Sequence, residues 1–333
     1  MLQGKQSWVF KNNPKIISTG VVGGPFEGKG PLANDFDKLY DDIWIGEKSF
    51  EKAEKKLLEQ ACEIAISKED LKKEDISFLL TGDLMNQIIS SSFCARTLGI
   101  PYLGLFGACS SSMESLALGS QLVDSGAATY ALAGATSHNV SVEKQFRYPT
   151  EYGSQKPPTS QWTVTGAGAA ILSLKGNGPK VTSATLGRVI DMGISDPFNM
   201  GAAMAPAAAD TIISHFNDLD RSPDYYDLIA TGDLGIIGHK IASDLLKDSN
   251  LMIPPAIFTD CGLLIYNKDQ PVMAGASGCG CSATVTYGHF INRMKEGELS
   301  KILVVATGAL LSPLSYQQKE TIPCIAHAVS IEL

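Results

Sequence analysis

Apolar and polar positions along this 333-residue chain follow two periods. Over 49–66, Phe50, Ala53, Leu57, Ala61 and Ile64 recur at helical spacing with lysines and glutamates between them, and Ser49 stands where a helix cap belongs. Elsewhere apolar residues come in short unbroken runs, the pattern of strands buried on both faces. Two runs end in the same four residues, DISFLLTGDL at 75–84 and YDLIATGDL at 226–234. A second pair follows in the same order. GACSSSMESLALGSQLVDSGAATYALAGATS (107–137) and GCGCSATVTYGHFINRMKEGELSKILVVATGALLS (278–312) each read as a small-residue loop, a helix, a glycine stop (Gly126, Gly297) and an apolar strand. Asp83 to Asp233 spans 150 positions and Cys109 to Cys281 spans 172. Matching order and offset predict a duplication. One half covers 1–177 and carries Cys109, the other covers 178–333, and KGNGPK (175–180) makes the junction. Strands alternating with helices predict a layered α/β architecture.

Composition narrows the function. A net charge of −8 argues against nucleic-acid binding, which needs a basic surface. The opening residues MLQGKQSWVFKNN lack an apolar core and a cleavage site, so no signal peptide is expected. No apolar run approaches the roughly 18–20 residues that span a bilayer. The seven cysteines form no paired CxxC motif, so reduced thiols and no metal site are expected, the lone Cys279-x-Cys281 included. The stretch Gly23–Lys29 imitates a phosphate-binding loop, but Gly30-Pro31 replaces its hydroxyl residue and cannot open the helix. Gly166-x-Gly168 lacks a third glycine and falls in an expected strand.

The candidate chemistry centres on Cys109. Ser111 and Glu114 have capping-box spacing, which predicts a helix starting just after the cysteine. The free N–H groups and dipole of a helix start favour thiolate and can hold an anion. A buried, inert cysteine is the competing reading.

The motifs LGIP (98–101), ACSSS (108–112) and SGAATYALAGATS (125–137) resemble the ketosynthase III and thiolase pattern, and the tail 324–332 resembles the last thiolase segment. The resemblance implies a thiolase-like fold of two pseudo-symmetric halves in an αβαβα arrangement, paired as a homodimer through the strand 128–135. It also implies a nucleophilic cysteine. Its usual partners depart from the pattern, however. Thr231-Gly-Asp-Leu234 stands where a ketosynthase has H-Q-A-N, and Gly278-Cys-Gly-Cys-Ser282 replaces G-N-x-S. The thiolase G-H-P motif is missing before Gly275. His327, expected in a loop bordering the site, is the best substitute. His138 would follow the dimer-edge strand. His215, His239 and His289 read as structural helix residues.

A cysteine kept without its acid–base partners resembles one family closely, the stage V sporulation protein AD family of spore-forming Firmicutes. The features that carry this are GDLMNQ (82–87), FGACSSSMESLALG (106–119), ATSHNVSVEKQFRYPTEYG (135–153) and TGDLGIIG (231–238). The resemblance implies a non-catalytic protein that binds dipicolinic acid (pyridine-2,6-dicarboxylate), alone or with Ca2+ as its chelate. It implies work beside other SpoVA-type membrane proteins, peripheral to the spore inner membrane. The ligand-binding residues expected are Cys109, Asp83, Ser110, Ser137, His327 and Arg147, with Lys156 as a second cation near the site. Arginine suits a carboxylate, whereas Asp83 suits the dianion only through calcium or as a supporting hydrogen-bond group. An acyltransferase using Cys109 and His327 is the alternative.

Overall fold

The computed structural model describes residues 1–146 and 156–333. The first half runs β1 (Lys15–Gly23), α1 (Phe50–Ser67), β2 (Phe78–Gly82), α2 (Ile89–Leu98), β3 (Tyr102–Leu105), α3 (Ser111–Asp124), β4 (Ala131–Ser137), α4 (Asn139–Phe146) and β5 (Gly166–Ser173). The second half repeats that order. It runs β6 (Lys180–Leu186), α5 (Met200–Leu219), β7 (Leu228–Thr231), α6 (Gly235–Asp248), β8 (Phe258–Asp260), α7 (Cys279–Thr284), β9 (Lys301–Ala309), α8 (Pro313–Gln317) and β10 (Cys324–Glu332). Across the sheet the strands lie β3-β2-β4-β5-β1 and then β6-β10-β9-β7-β8, so one half is the reversed image of the other. The central strands β1 and β6 meet at a single pairing, Lys15 opposite Lys180. In each half four strands run the same way and one, β5 or β10, runs antiparallel to them.

The helix α3 packs on β2 and β4 of its own half and on β9 and β10 of the other, with α7 beside it against β4 and β5. These two helices form a middle layer. The pairs α1/α2 and α5/α6 cover the outer faces, giving the expected αβαβα arrangement. Small residues make the close packing. A Cβ on Gly168 of β5 would stand 2.7 Å from the Ala283 carbonyl of α7.

Local chemistry explains the elements. Ser49 caps α1, accepting from the Lys52 N–H at 3.3 Å. The buried face of α1 is Ala53, Leu57, Leu58, Ala61, Cys62 and Ala65, turned slightly from the predicted stripe, with Phe50 and Ile64 only half-buried. Each leucine contributes roughly 1.5–3 kcal/mol of burial. Glu54 is fully buried on this face, and the Ser141 hydroxyl donates to it at 2.5 Å. Nothing in the apolar pattern marks that acid.

The strand expected at 128–135 is β4, and it is not an edge. Hydrogen bonds tie it to β2 on one side and β5 on the other, so it has no free ladder for a second chain. The first half's free edge is β3, with Leu103 and the following Phe106 exposed. Among the described residues no helix is long and apolar enough to cross a membrane.

Candidate functional site

Cys109 lies in a tight turn, Ala108–Ser110, between β3 and α3. Ala108 holds a left-handed φ of 50°, a strained conformation for a residue with a side chain. Three serine hydrogen bonds hold the turn. Ser110 Oγ donates to the Gly107 carbonyl at 2.6 Å, and Ser111 Oγ donates to Ala108 at 2.8 Å and accepts from the Gly107 N–H at 3.1 Å. The predicted capping box is therefore not formed, because Ser111 is spent on the turn behind it. Gly308 of β9 lets the turn descend onto the opposite sheet. A Cβ there would meet the Gly107 carbonyl at 2.1 Å.

The thiol's neighbour is Asp233, from the loop after β7. Its Oδ1 accepts from Thr307 Oγ1 at 2.8 Å, and its Oδ2 accepts from the Gly278 N–H at 2.8 Å and Ser277 Oγ at 3.3 Å. The Cys109 thiol lies beside the same carboxylate and interacts with it. Burial pushes Asp233 up to about 6. Burial first, and then this carboxylate, push the Cys109 thiol well above the ordinary thiol range. The expected bias toward thiolate is thus reversed, since desolvation beside an acid outweighs a helix start.

The second half repeats the device. Cys279 follows Gly278, whose φ is 99°, as Cys109 follows Ala108, and Ser282 meets Ser112 at 2.7 Å. The counterpart of Cys109 is therefore Cys279, not Cys281. The Cys279 thiol donates to the Thr136 carbonyl at 3.0 Å, and Asp83 and Glu54 add to the burial that raises it.

The remaining expectations divide. Asp83 is a turn residue, fully buried, accepting from the Met85 N–H at 2.8 Å and the Ser91 N–H at 2.7 Å. Ser137 donates to the Val164 carbonyl at 2.7 Å and accepts from the Gly280 N–H at 3.1 Å. Neither lines the cavity at Cys109, nor does Ser110. His327 is inside β10, not in a loop. It accepts from the Gly187 N–H at 3.2 Å, and burial pushes it down to about 4. It is not among the described residues that line the Cys109 cavity. Arg147 lies outside the described residues. Lys156 is committed to Glu143 at 2.9 Å and lies over the Trp162 ring.

Three of the other histidines are held by hydrogen bonds or an ion pair away from the cavity, and His239 stacks near Phe258. His138 bonds to the Ile43 carbonyl at 2.9 Å, and His215 bridges Thr185 and Tyr226. His289 pairs with Asp35 at 2.8 Å. In the stretch that imitates a phosphate loop, Glu27 is buried against Tyr266 and Thr165.

The cavity at Cys109 is narrow, about 30 Å³, and is lined by Leu84, Phe106, Cys109, Phe146, Met200 and Leu311, among others. The hydroxyl residues Thr163 and Ser277 supply polar groups, and no described lining residue is charged. A second cleft of about 330 Å³, bounded by 84–88 and Ser312, shares Leu84, Phe106, Phe146 and Leu311 with it and leads outward. Gln87 and Ile88 on this border both have left-handed φ, 53° and 46°. Among the described residues no cluster of His, Cys, Asp and Glu could hold a metal ion. Sequence reasoning missed Asp233, although its signal was present as the second TGDL.

Comparison with solved structures finds the thiolase fold. Cerulenin-bound OleA of Xanthomonas campestris superposes with a TM-score of 0.65 over 98% of this chain and 100% of that one, at 13% identity. Human mitochondrial 3-ketoacyl-CoA thiolase in complex with CoA gives 0.61 over 98% and 100%, at 11% identity. The 3-oxoacyl-(acyl-carrier-protein) synthase III of Aquifex aeolicus gives 0.58 over 96% and 100%, at 15%. At these identities the likeness is one of fold. In sequence, the chain is 54% identical to stage V sporulation protein AD of Bacillus subtilis (strain 168) over 331 residues, 99% of this chain and 98% of that protein. The family model described as stage V sporulation protein AD (SpoVAD) matches residues 4–332. A thiolase fold whose cysteine faces a carboxylate is here the fold of a sporulation protein, and the chain belongs to the SpoVAD family.

Proposed function

We propose that this chain is a binding subunit, not an acyltransferase, and that it holds dipicolinic acid in the cavity floored by Cys109. One observation carries the reading: the thiol that opens on the cavity lies beside the Asp233 carboxylate, and no histidine is among the described residues that line the cavity. Acyl transfer needs a thiolate and a proton acceptor, and a carboxylate at the thiol opposes the first. The outer cleft that opens onto this cavity suits a flat aromatic ring, with Phe106 and Phe146 as walls common to both and the Thr163 hydroxyl as a directional group at the Cys109 end. Arg147 follows the lining residue Phe146 in sequence and is the proposed partner of a ligand carboxylate. In this reading the chain acts at the spore inner membrane through SpoVA-type membrane proteins. It pairs with a second copy through the free edge β3.

The test is a calorimetric titration of dipicolinate, with and without calcium, into the wild-type chain and Cys109→Ala. Saturable binding weakened at least about tenfold by the substitution, roughly 1.4 kcal/mol, is expected. A stable acyl adduct on Cys109 after incubation with acyl-CoA would favour the acyltransferase instead.

A further inference from the structure

We propose that Asp233 couples the Cys109 cavity to protons, so that an anionic ligand enters together with one proton taken up by this carboxylate. The inference rests on the reading of the cavity as a site for a carboxylate ligand. Asp233 is one side chain behind the wall, because Ser277, which donates to it at 3.3 Å, and its neighbour Cys109 both line the cavity. The titratable groups around it are Asp260 and Cys261 after β8, Cys109 before α3, Cys279 and Cys281 in α7, and Cys324 of β10. These are acids and thiols. The buried His327 on β10 is neutral, and no described lining residue carries positive charge.

An anion placed against Cys109 therefore faces a buried carboxylate whose partners are neutral hydroxyls and one backbone N–H. Two like charges in a dry site are relieved most cheaply by protonating one of them. Asp233 is already lifted to about 6, so a neighbouring anion carries its titration through neutral pH. The proton comes from solvent and no other bond changes. The protonated carboxyl keeps acceptor capacity for the Gly278 N–H.

The experiment titrates dipicolinate into the full chain in buffers of different ionisation enthalpy. Close to one proton taken up per ligand is expected at about pH 7.5, and almost none at about pH 5. Affinity should fall about tenfold per pH unit above about pH 6. Asp233→Asn should abolish the uptake and flatten the profile. Binding without uptake in the wild type, or uptake that persists in Asp233→Asn, overturns the proposal.

If dipicolinate gives no heat at any pH, the ligand reading fails, and Asp233 is judged by a second probe pair. Alkylation of Cys109 by neutral iodoacetamide and anionic iodoacetate is compared by peptide mass. The wild-type preference for the neutral reagent should exceed that of Asp233→Asn by about tenfold. Equal preferences overturn the proposal. Should the variant not fold, the wild-type preference must shrink as pH falls through about 6, and a flat profile overturns it.

Discussion

Cys109 and Cys279 hold the same position in the two copies, and they differ in what lies beyond the sulfur. On the Cys279 side the strand carries Ser137. Its hydroxyl fills the space against Gly278 and Gly280, and the thiol is spent on a backbone carbonyl. On the Cys109 side the strand carries Gly308. The turn comes down onto it, and the thiol opens on a cavity. The two aspartates differ in the same sense. Asp83 is used up by two backbone N–H groups, whereas Asp233 holds two hydroxyls and one N–H and lies beside the thiol. Duplication supplied two equal devices, and side-chain size at the contact between strand and turn left one of them open.

The comparison can be broken most forcefully at that contact. Gly308→Val drives a branched side chain into the Gly107 carbonyl and should cost about 4 kcal/mol in denaturant unfolding. Asp83→Ala orphans two buried N–H groups and should cost about 3 kcal/mol, although it lies outside the cavity. A smaller loss there would show that the loop 84–91 reorganises. Acid titration sharpens the contrast further. Asp233 binds its proton more tightly folded (about 6) than unfolded, so its stabilising share is full below about pH 4 and is lost as pH rises through about 6. Asp233→Asn should remove about 2 kcal/mol of that fall, read from unfolding midpoints across the range. The smallest effect is expected from His327→Gln. It should change stability by about 1 kcal/mol or less and leave the alkylation rate of Cys109 unchanged. A changed rate would return His327 to the site.

Much of the architecture was legible because period and repetition are properties of the chain itself. The two TGDL runs and the two loop–helix–strand segments mark the halves, and Cys109 was recognisable by its turn. The site was harder to read because it is assembled across the halves. Asp233 is 124 positions from Cys109 and reaches it only when the reversed sheets stack. His327 misled for a related reason, since proximity to the chain end suggests a loop, while β9 holds the whole of 324–332 as a strand. The pairing of Cys109 with Cys281 failed by two positions, because short offsets are blurred by loop insertions that backbone geometry resolves. Glu54 could not be read at all, as its partner Ser141 comes from another helix.

Ser112 and Ser282 face each other at 2.7 Å where the halves meet. A residue on a twofold axis meets its own image, and two identical hydroxyls cannot both donate along one line. A single hydrogen lies between them and must belong to one side. The internal symmetry of the molecule therefore ends at its own centre, on the direction of one O–H bond.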